Sequence, residues 1–376
     1  MSLRHNLIFR TDASIQIGTG HVMRCITLAD ALVARGWGCA FICREHPGNL
    51  IEFIRGKGYI VHVLPVADTE IGGVCMDIPV PEKFEKNFLY SDWLGADQEQ
   101  DAEACAPILA AQRPDWLIVD HYALDARWER TLAPHYRKLM VIDDLADRYH
   151  DCDMLLDQTF GRDVADYRPL VPADCHLLCG SQYALLRPEF ATLRPYSLQR
   201  RAQPVLRELL ITMGGVDKDN STGLVLKALR FCQLPTDFRI TVVMGATALW
   251  LDEVCKQAQC MSRPTRVLVG VSDMAQLMTD CDLAIGAAGA TSWERCCLGL
   301  PTIMVPLADN QVQSCRILSE AGAGLMIPEP RDIAAQLPQI FQALVAEPVA
   351  LSGMVATSAT ITDGRGIERV SQFIEA

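Results

Sequence analysis

The strongest constraint in this sequence is a repeated alternation of short apolar runs with helical periods. Residues 6–10 read as a strand, 22–34 as a helix, 38–43 as a strand, 50–57 as a helix and 60–64 as a strand. Strands separated by helices pair in parallel, so this order predicts an α/β sheet with helices on both faces. The pattern lapses over 68–101, where Gly, Pro and acidic residues cluster as in an insertion. It resumes with a helix near 101–112 and strands at 116–120, 139–143, 154–157 and 176–179. Between Arg187 and Pro204 the chain turns basic, carries Pro188, Pro195 and Pro204 and shows no clear period, which predicts a linker. A second series then places strands at 208–212, 239–244, 265–270, 282–285 and 301–305. Residues 364–376 read as a helix with Ile367, Val370 and Phe373 on one apolar face. The expected layout is an N-terminal Rossmann-like domain over 1–187, a linker over 188–204, a second Rossmann-like domain over 205–350 and a helical tail over 351–376.

A chain of 376 residues, half of them hydrophobic, has ample core for two such domains. Its formal charge of -12 gives an acidic surface, so nucleic acid and anionic bilayers are not expected partners. The 15 cysteines are odd in number and scattered through apolar stretches, where a reduced thiol packs as a small hydrophobe, as suits a cytoplasmic protein. Near the N-terminus the only apolar run, Leu7-Ile8-Phe9, is far shorter than a signal-peptide core, and no stretch approaches the roughly 18 apolar residues of a membrane helix. Membrane insertion is therefore not expected either.

Five segments carry candidate chemistry. Arg10-Thr11-Asp12 and Gln16-Ile17-Gly18-Thr19-Gly20-His21 lie between the first strand and the first helix. Glycines there let amides approach an anion, and the positive end of the helix disfavours imidazolium, so His21 suits a general base. A capped βα turn fits the same residues. Asp120-His121-Tyr122, Asp143-Asp144 and Asp157-Gln158 follow strands, where they could hold a sugar or a water, or cap turns. Met213-Gly214-Gly215-Val216-Asp217 is a second glycine turn before a helix, and an ordinary turn explains it equally well.

Gly286-Ala287-Ala288-Gly289-Ala290-Thr291-Ser292-Trp293-Glu294 is more specific. Its small residues bare the backbone for a diphosphate, and Glu294 can accept two hydrogen bonds from a ribose; a capping box from Thr291 to Glu294 is the alternative. Pro306-Leu307-Ala308-Asp309-Asn310-Gln311, before a helix at about 313–321, offers amide side chains that suit a hydroxyl, an acetamido group or a capped loop. Cys39-x3-Cys43-x2-His46 and Cys175-His176-x2-Cys179 lack the paired spacing of a structural zinc site, and no metal or other cofactor is expected.

In their order, these motifs resemble the UDP-sugar hydrolases of pseudaminic acid biosynthesis, from about Leu7 to Met326. The resemblance also rests on Gly180-x-x-Tyr183-Ala184-Leu185-Leu186-Arg187-x-Glu189-Phe190. It implies a GT-B fold, two Rossmann-like domains facing a central cleft, with UDP held by the second. It further implies hydrolysis of UDP-2,4-diacetamido-2,4,6-trideoxy-β-L-altropyranose by water attack at C1, with inversion and C–O cleavage, in a pathway that serves flagellin glycosylation. His21, Tyr122 and Asn310 match the family's catalytic and sugar-lining positions, and Glu294 matches its ribose residue. Asp12, Gly20, Arg187, Met213, Gly214, Gly289, Ala290, Thr291 and Gln311 are the remaining expected substrate contacts, in a monomer or weak homo-oligomer. The 68–101 segment and the C-terminal tail extend beyond the family's minimal pattern.

Overall fold

A computed structural model describes residues 5–66, 90–245 and 248–376, and in it the chain folds as two compact units. The first contains β1 (Asn6–Thr11), α1 (Gly20–Val33), β2 (Gly38–Arg44), α2 (Ile51–Gly56), β3 (Ile60–Leu64), α3 (Gln98–Gln112), β4 (Trp116–Asp120), α4 (Ala126–Leu132), β5 (Lys138–Ile142), β6 (Met154–Asp157), α5 (Val164–Tyr167) and β7 (His176–Cys179). Its seven strands are parallel, in the order β3-β2-β1-β4-β5-β6-β7. The strand order reverses between β1 and β4, where Thr11 pairs with Asp120. At such a switch point the connections leave in opposite directions and open a crevice beyond the strand ends.

The second unit begins with α6 (Pro188–Arg200) and continues with β8 (Glu208–Thr212), α7 (Ser221–Leu229), β9 (Arg239–Met244), α8 (Leu251–Gln259), β10 (Thr265–Val269), α9 (Met274–Asp280), β11 (Leu283–Ala287), α10 (Thr291–Cys297), β12 (Thr302–Val305), α11 (Asp309–Glu320), β13 (Gly324–Met326), α12 (Ile333–Ala346) and α13 (Ala350–Ile361). Its six parallel strands run β10-β9-β8-β11-β12-β13, so the reversal falls between β8 and β11, where Thr212 pairs with Gly286.

Both faces of this sheet are covered, and the period of two in the strands shows how. Leu209, Ile211, Ile285 and Val305 pack into one core with Val225, Phe238 and Phe341, while Leu210, Ala284 and Met304 pack into another with Trp293 and Leu318. Each buried Leu, Ile, Val, Phe or Met among them contributes about 1.5–3 kcal/mol by leaving water. Cys281, Cys296, Cys297 and Cys315 are free thiols within the second core, where they pack as small hydrophobes.

Residues 188–200, expected as linker, are helix α6. Pro188 sits in the first turn, where it removes no hydrogen bond, and Phe190 and Ser197 are fully buried. The helix is fastened by polar groups rather than by an apolar stripe: Ser197 Oγ donates to the Leu298 carbonyl at 2.7 Å, and Arg194 donates to the carbonyls of Cys297 and Ala359. That is why no hydrophobic period announced it.

The C-terminal residues also differ from a single tail. Ser358 of α13 donates to the Ala323 carbonyl within the second unit, whereas α14 (Gly366–Glu375) joins the first, where Trp116 Nε1 donates to the Ile374 carbonyl. Its buried face is Ile367, Val370 and Ile374, with Phe373 40% exposed instead of buried as its spacing predicted. Of the 68–101 segment, residues 68–89 lie outside the described residues; Ser91–Trp93 forms a 3₁₀ turn, and Asp97 caps α3 through the Gln100 amide. Among the described residues no single helix is long and apolar enough to cross a membrane.

Candidate active site

In the first unit the loop after β1 consumes its own amides. Ser14 Oγ accepts from Gln16 N and Ile17 N, and the Ser14 carbonyl accepts from Gly18 N at 2.8 Å. Gly18 takes φ +79°, a conformation that a side chain would strain. The loop therefore serves to start α1 at Gly20 and to set His21 in its first turn.

His21 is nearly buried, and its Nδ1 lies 2.5 Å from Oδ1 of Asp120. An Nδ1–H held by a carboxylate leaves Nε2 with its lone pair, which is the tautomer of a general base. Arg24, one turn further along α1, clamps the same carboxylate, Nε to Oδ2 at 2.6 Å and Nη2 to Oδ1 at 2.7 Å. Burial opposes ionisation of Asp120, but Arg24 and then His21 outweigh it and hold the carboxyl well below the usual range. Arg24 also reaches Asp144 at 2.7 Å, and the Tyr122 hydroxyl donates to that same Asp144 oxygen at 2.7 Å. Burial first, and Asp144 second, push the Tyr122 phenol above its ordinary range, so it stays protonated. Its ring meets His21 edge-on with centroids 4.6 Å apart. Trp93 and Tyr90 pack on Tyr122 at 5.8 and 5.3 Å.

Of these partners, Asp120 and Asp144 stood among the strand-end candidates, but Arg24, Tyr90 and Trp93 carried no sequence signal. Arg24 lies inside an ordinary helical run, and the two aromatics end a segment that reads as an insertion.

Several of the strand-end residues have structural partners. Asp12 is fully buried; its Oδ1 accepts from the Arg44 amide at 2.6 Å and forms an ion pair with Arg10 at 2.7 Å. Its Oδ2 faces Nε2 of His121 at 3.4 Å and of His46 at 3.7 Å. The structure thus places Asp12 inside the unit and gives it the task of joining the ends of β1 and β2. His121 Nδ1 accepts from the Ala123 amide, which completes that buried role. Asp143 and Asp157 share the Tyr167 hydroxyl, and each has its own arginine, Arg148 and Arg162. Gly20 opens α1, with free space where a Cβ would stand.

In the second unit, Met213 is buried, and Gly214 has φ +82° with open space around it. Asp217 accepts from the amides of Ser221 and Thr222, and Asn220 accepts from Gly223 N. The start of α7 is thereby capped from within the protein, so the glycine turn at 213–217 offers no anion site through those amides.

The loop after β11 is different. Gly286 admits no side chain, because a Cβ there would stand 2.6 Å from Arg295 Nη1 and 2.8 Å from the Thr212 carbonyl. Gly289 lies beside Gln311: a Cβ on it would be 3.8 Å from Nε2, while Gln311 Oε1 accepts from the Leu307 amide at 3.0 Å. The two motif loops of this unit therefore meet. Helix α11 starts at Asp309, earlier than expected, and puts half-buried Asn310 and Gln311 in its first turn. Ala290 and Thr291 begin α10, and Glu294 follows one turn on. Burial, partly offset by Arg187 and Arg295, pushes the Glu294 carboxyl up to about 7. Arg187 itself donates to the Ser272 carbonyl at 2.9 Å and stacks on Phe190.

The fold is GT-B. Over 99% of both chains it is similar to the crystal structure of Acinetobacter baumannii MurG, with a TM-score of 0.67 at 14% identity. Residues 209–369 match the glycosyltransferase family 28 C-terminal domain. The chain is 25% identical over 317 residues to the UDP-2,4-diacetamido-2,4,6-trideoxy-beta-L-altropyranose hydrolase of Campylobacter jejuni, covering 84% of this chain and 97% of that one. It is 24% identical over 309 residues to an uncharacterised protein of Methanocaldococcus jannaschii, covering 81% of this chain but spanning only 55% of that protein's length.

Proposed function

We propose that this protein hydrolyses a UDP-linked diacetamido-trideoxy-hexose, of the kind named for its Campylobacter relative, and so supplies free sugar for pseudaminic acid biosynthesis. The observation that carries this reading is the His21–Asp120 pair at the switch point of the first sheet. Water attacks the anomeric carbon, its proton passes to Nε2 of His21, and the C1–O bond breaks with inversion as UDP departs. Asp120 holds the ring tautomer and offsets the imidazolium that forms.

In the second unit, Glu294 takes the ribose hydroxyls and the loop from Gly286 to Thr291 takes the diphosphate, with Gln311 at its side. Within the first unit, the ring of Tyr122 is assigned to the acetamido-sugar, and within the second, Asn310 is assigned a polar contact of the substrate. Incubation in oxygen-18 water tests the chemistry: label should appear in the sugar, and label in UDP would overturn C–O cleavage. The same incubation with the His21→Leu variant should show turnover below a tenth of the parent rate with UDP binding within about twofold.

The match to a glycosyltransferase family favours a second reading, transfer of the same sugar to an alcohol. Turnover without any added acceptor separates the two.

A further inference from the structure

Six arginines are buried among the described residues: Arg10, Arg24, Arg44, Arg148, Arg201 and Arg295. Four of them pair with carboxylates: Arg10 with Asp12 and Asp101, Arg24 with Asp120 and Asp144, Arg44 with Asp101, and Arg148 with Asp143. Arg201 donates to the carbonyls of Met278 and Cys281, the negative end of α9. Arg295 has neither kind of partner. It is 1% exposed, and its hydrogen bonds go to neutral oxygens: the Ala287 carbonyl at 2.6 Å, Ser292 Oγ at 3.1 Å and Thr291 Oγ1 at 3.4 Å. Its Nε has no partner at all.

A buried cation without a counter-charge is expensive, and side chains are seldom left so unless something balances them. Glu294, its chain neighbour, acts on it through space but makes no hydrogen bond or ion pair with it, so no carboxylate is seated on the guanidinium. All three acceptors of Arg295 belong to the loop from Ala287 to Ser292 or its helix start, and the guanidinium occupies the space that a side chain on Gly286 would need. The charge therefore lies directly beneath the small-residue loop.

We propose that Arg295 is the built-in counter-charge for the diphosphate, and that the anion bound over the Ala287–Thr291 loop is the partner this guanidinium lacks. The inference rests on the reading of that loop as the diphosphate site. Arg295 is a positioning residue: it acts through the loop and by its field, without touching the ligand. A full charge several ångströms from a diphosphate, partly shielded from water, changes affinity by about 10- to 100-fold.

The test compares UDP with uridine, which lacks the charge but keeps the base and ribose, by calorimetry on the full chain. Arg295→Met should weaken UDP by about 10- to 100-fold and leave uridine within about twofold, and Arg295→Lys should restore a large part of the UDP affinity. Equal losses for both ligands would mean a merely structural role and overturn the proposal, as would unchanged UDP binding. If the unaltered protein binds no UDP, the nucleotide-site reading itself falls. Should Arg295→Met fail to fold, inorganic pyrophosphate on the unaltered protein decides: it should raise Tm by about 2 °C or more relative to sulfate of equal ionic strength, and no difference overturns the proposal.

Discussion

Nδ1 of His21 and Oδ1 of Asp120 lie 2.5 Å apart although 99 residues separate them, and the Arg24 guanidinium grips the same carboxylate. The contact exists because β4 lies directly beside β1, so that the residue ending β4 faces the helix launched from β1. Asp120→Asn should keep the shape while offering Nδ1 an amide that can stabilise the wrong tautomer. We expect kcat to fall by about 10²- to 10⁴-fold with KM changed by less than threefold. A parallel loss in UDP affinity would point to general damage instead.

The Glu294 carboxyl, raised to about 7, makes nucleotide binding depend on pH. A carboxylate that accepts ribose hydroxyls must be ionised, so binding strengthens as pH rises through 7 and levels off above it. Uridine is the clean probe, having no phosphate to titrate. Its affinity should weaken about tenfold from pH 8 to pH 6, with Glu294→Gln showing no such slope. The sign for stability is opposite. The raised folded value means that ionising Glu294 costs stability, which is fully present below the unfolded value and is lost as pH climbs through about 7. A uridine affinity indifferent to pH would remove Glu294 from the ribose.

Asp101 binds Arg10 at 2.7 Å and Arg44 at 2.6 Å and accepts from Trp128 Nε1 at 3.0 Å, all inside the first unit. Burial opposes its ionisation, but Arg10 overrides it and lowers the carboxyl below its usual value. Asp101→Ala leaves two buried guanidiniums with fewer partners, and we expect a loss of about 3–5 kcal/mol in chemical denaturation. Because the folded value is depressed, the stability from Asp101 is present above the unfolded value near 4 and disappears as pH falls below it. A cost under about 1 kcal/mol would show the cluster to be dispensable.

Much of the architecture was legible in the linear pattern because parallel strands buried on both faces must be continuous apolar runs, and the helices between them must keep a 3.6-residue period. Residues 6–10, 116–120 and 208–212 satisfy that demand, and so did the motifs at their ends. Elements held by polar contacts escaped: α6 has no stripe to read, and β13 is only three residues long.

What the sequence determined by itself was the fold class and the candidate segments, since both follow from local periodicity and from glycine placement. Which residues of those segments face each other was decided only by the tertiary structure. Asp12 and His121 sit in motifs as prominent as that of His21, yet the sheet buries them together. Arg24 and Arg295 lie in unremarked helical runs, yet strand order brings one to Asp120 and sets the other beneath a bare loop. Electrostatic roles of this kind depend on distances across the sheet and on exclusion of water, and neither quantity is carried by spacing along the chain.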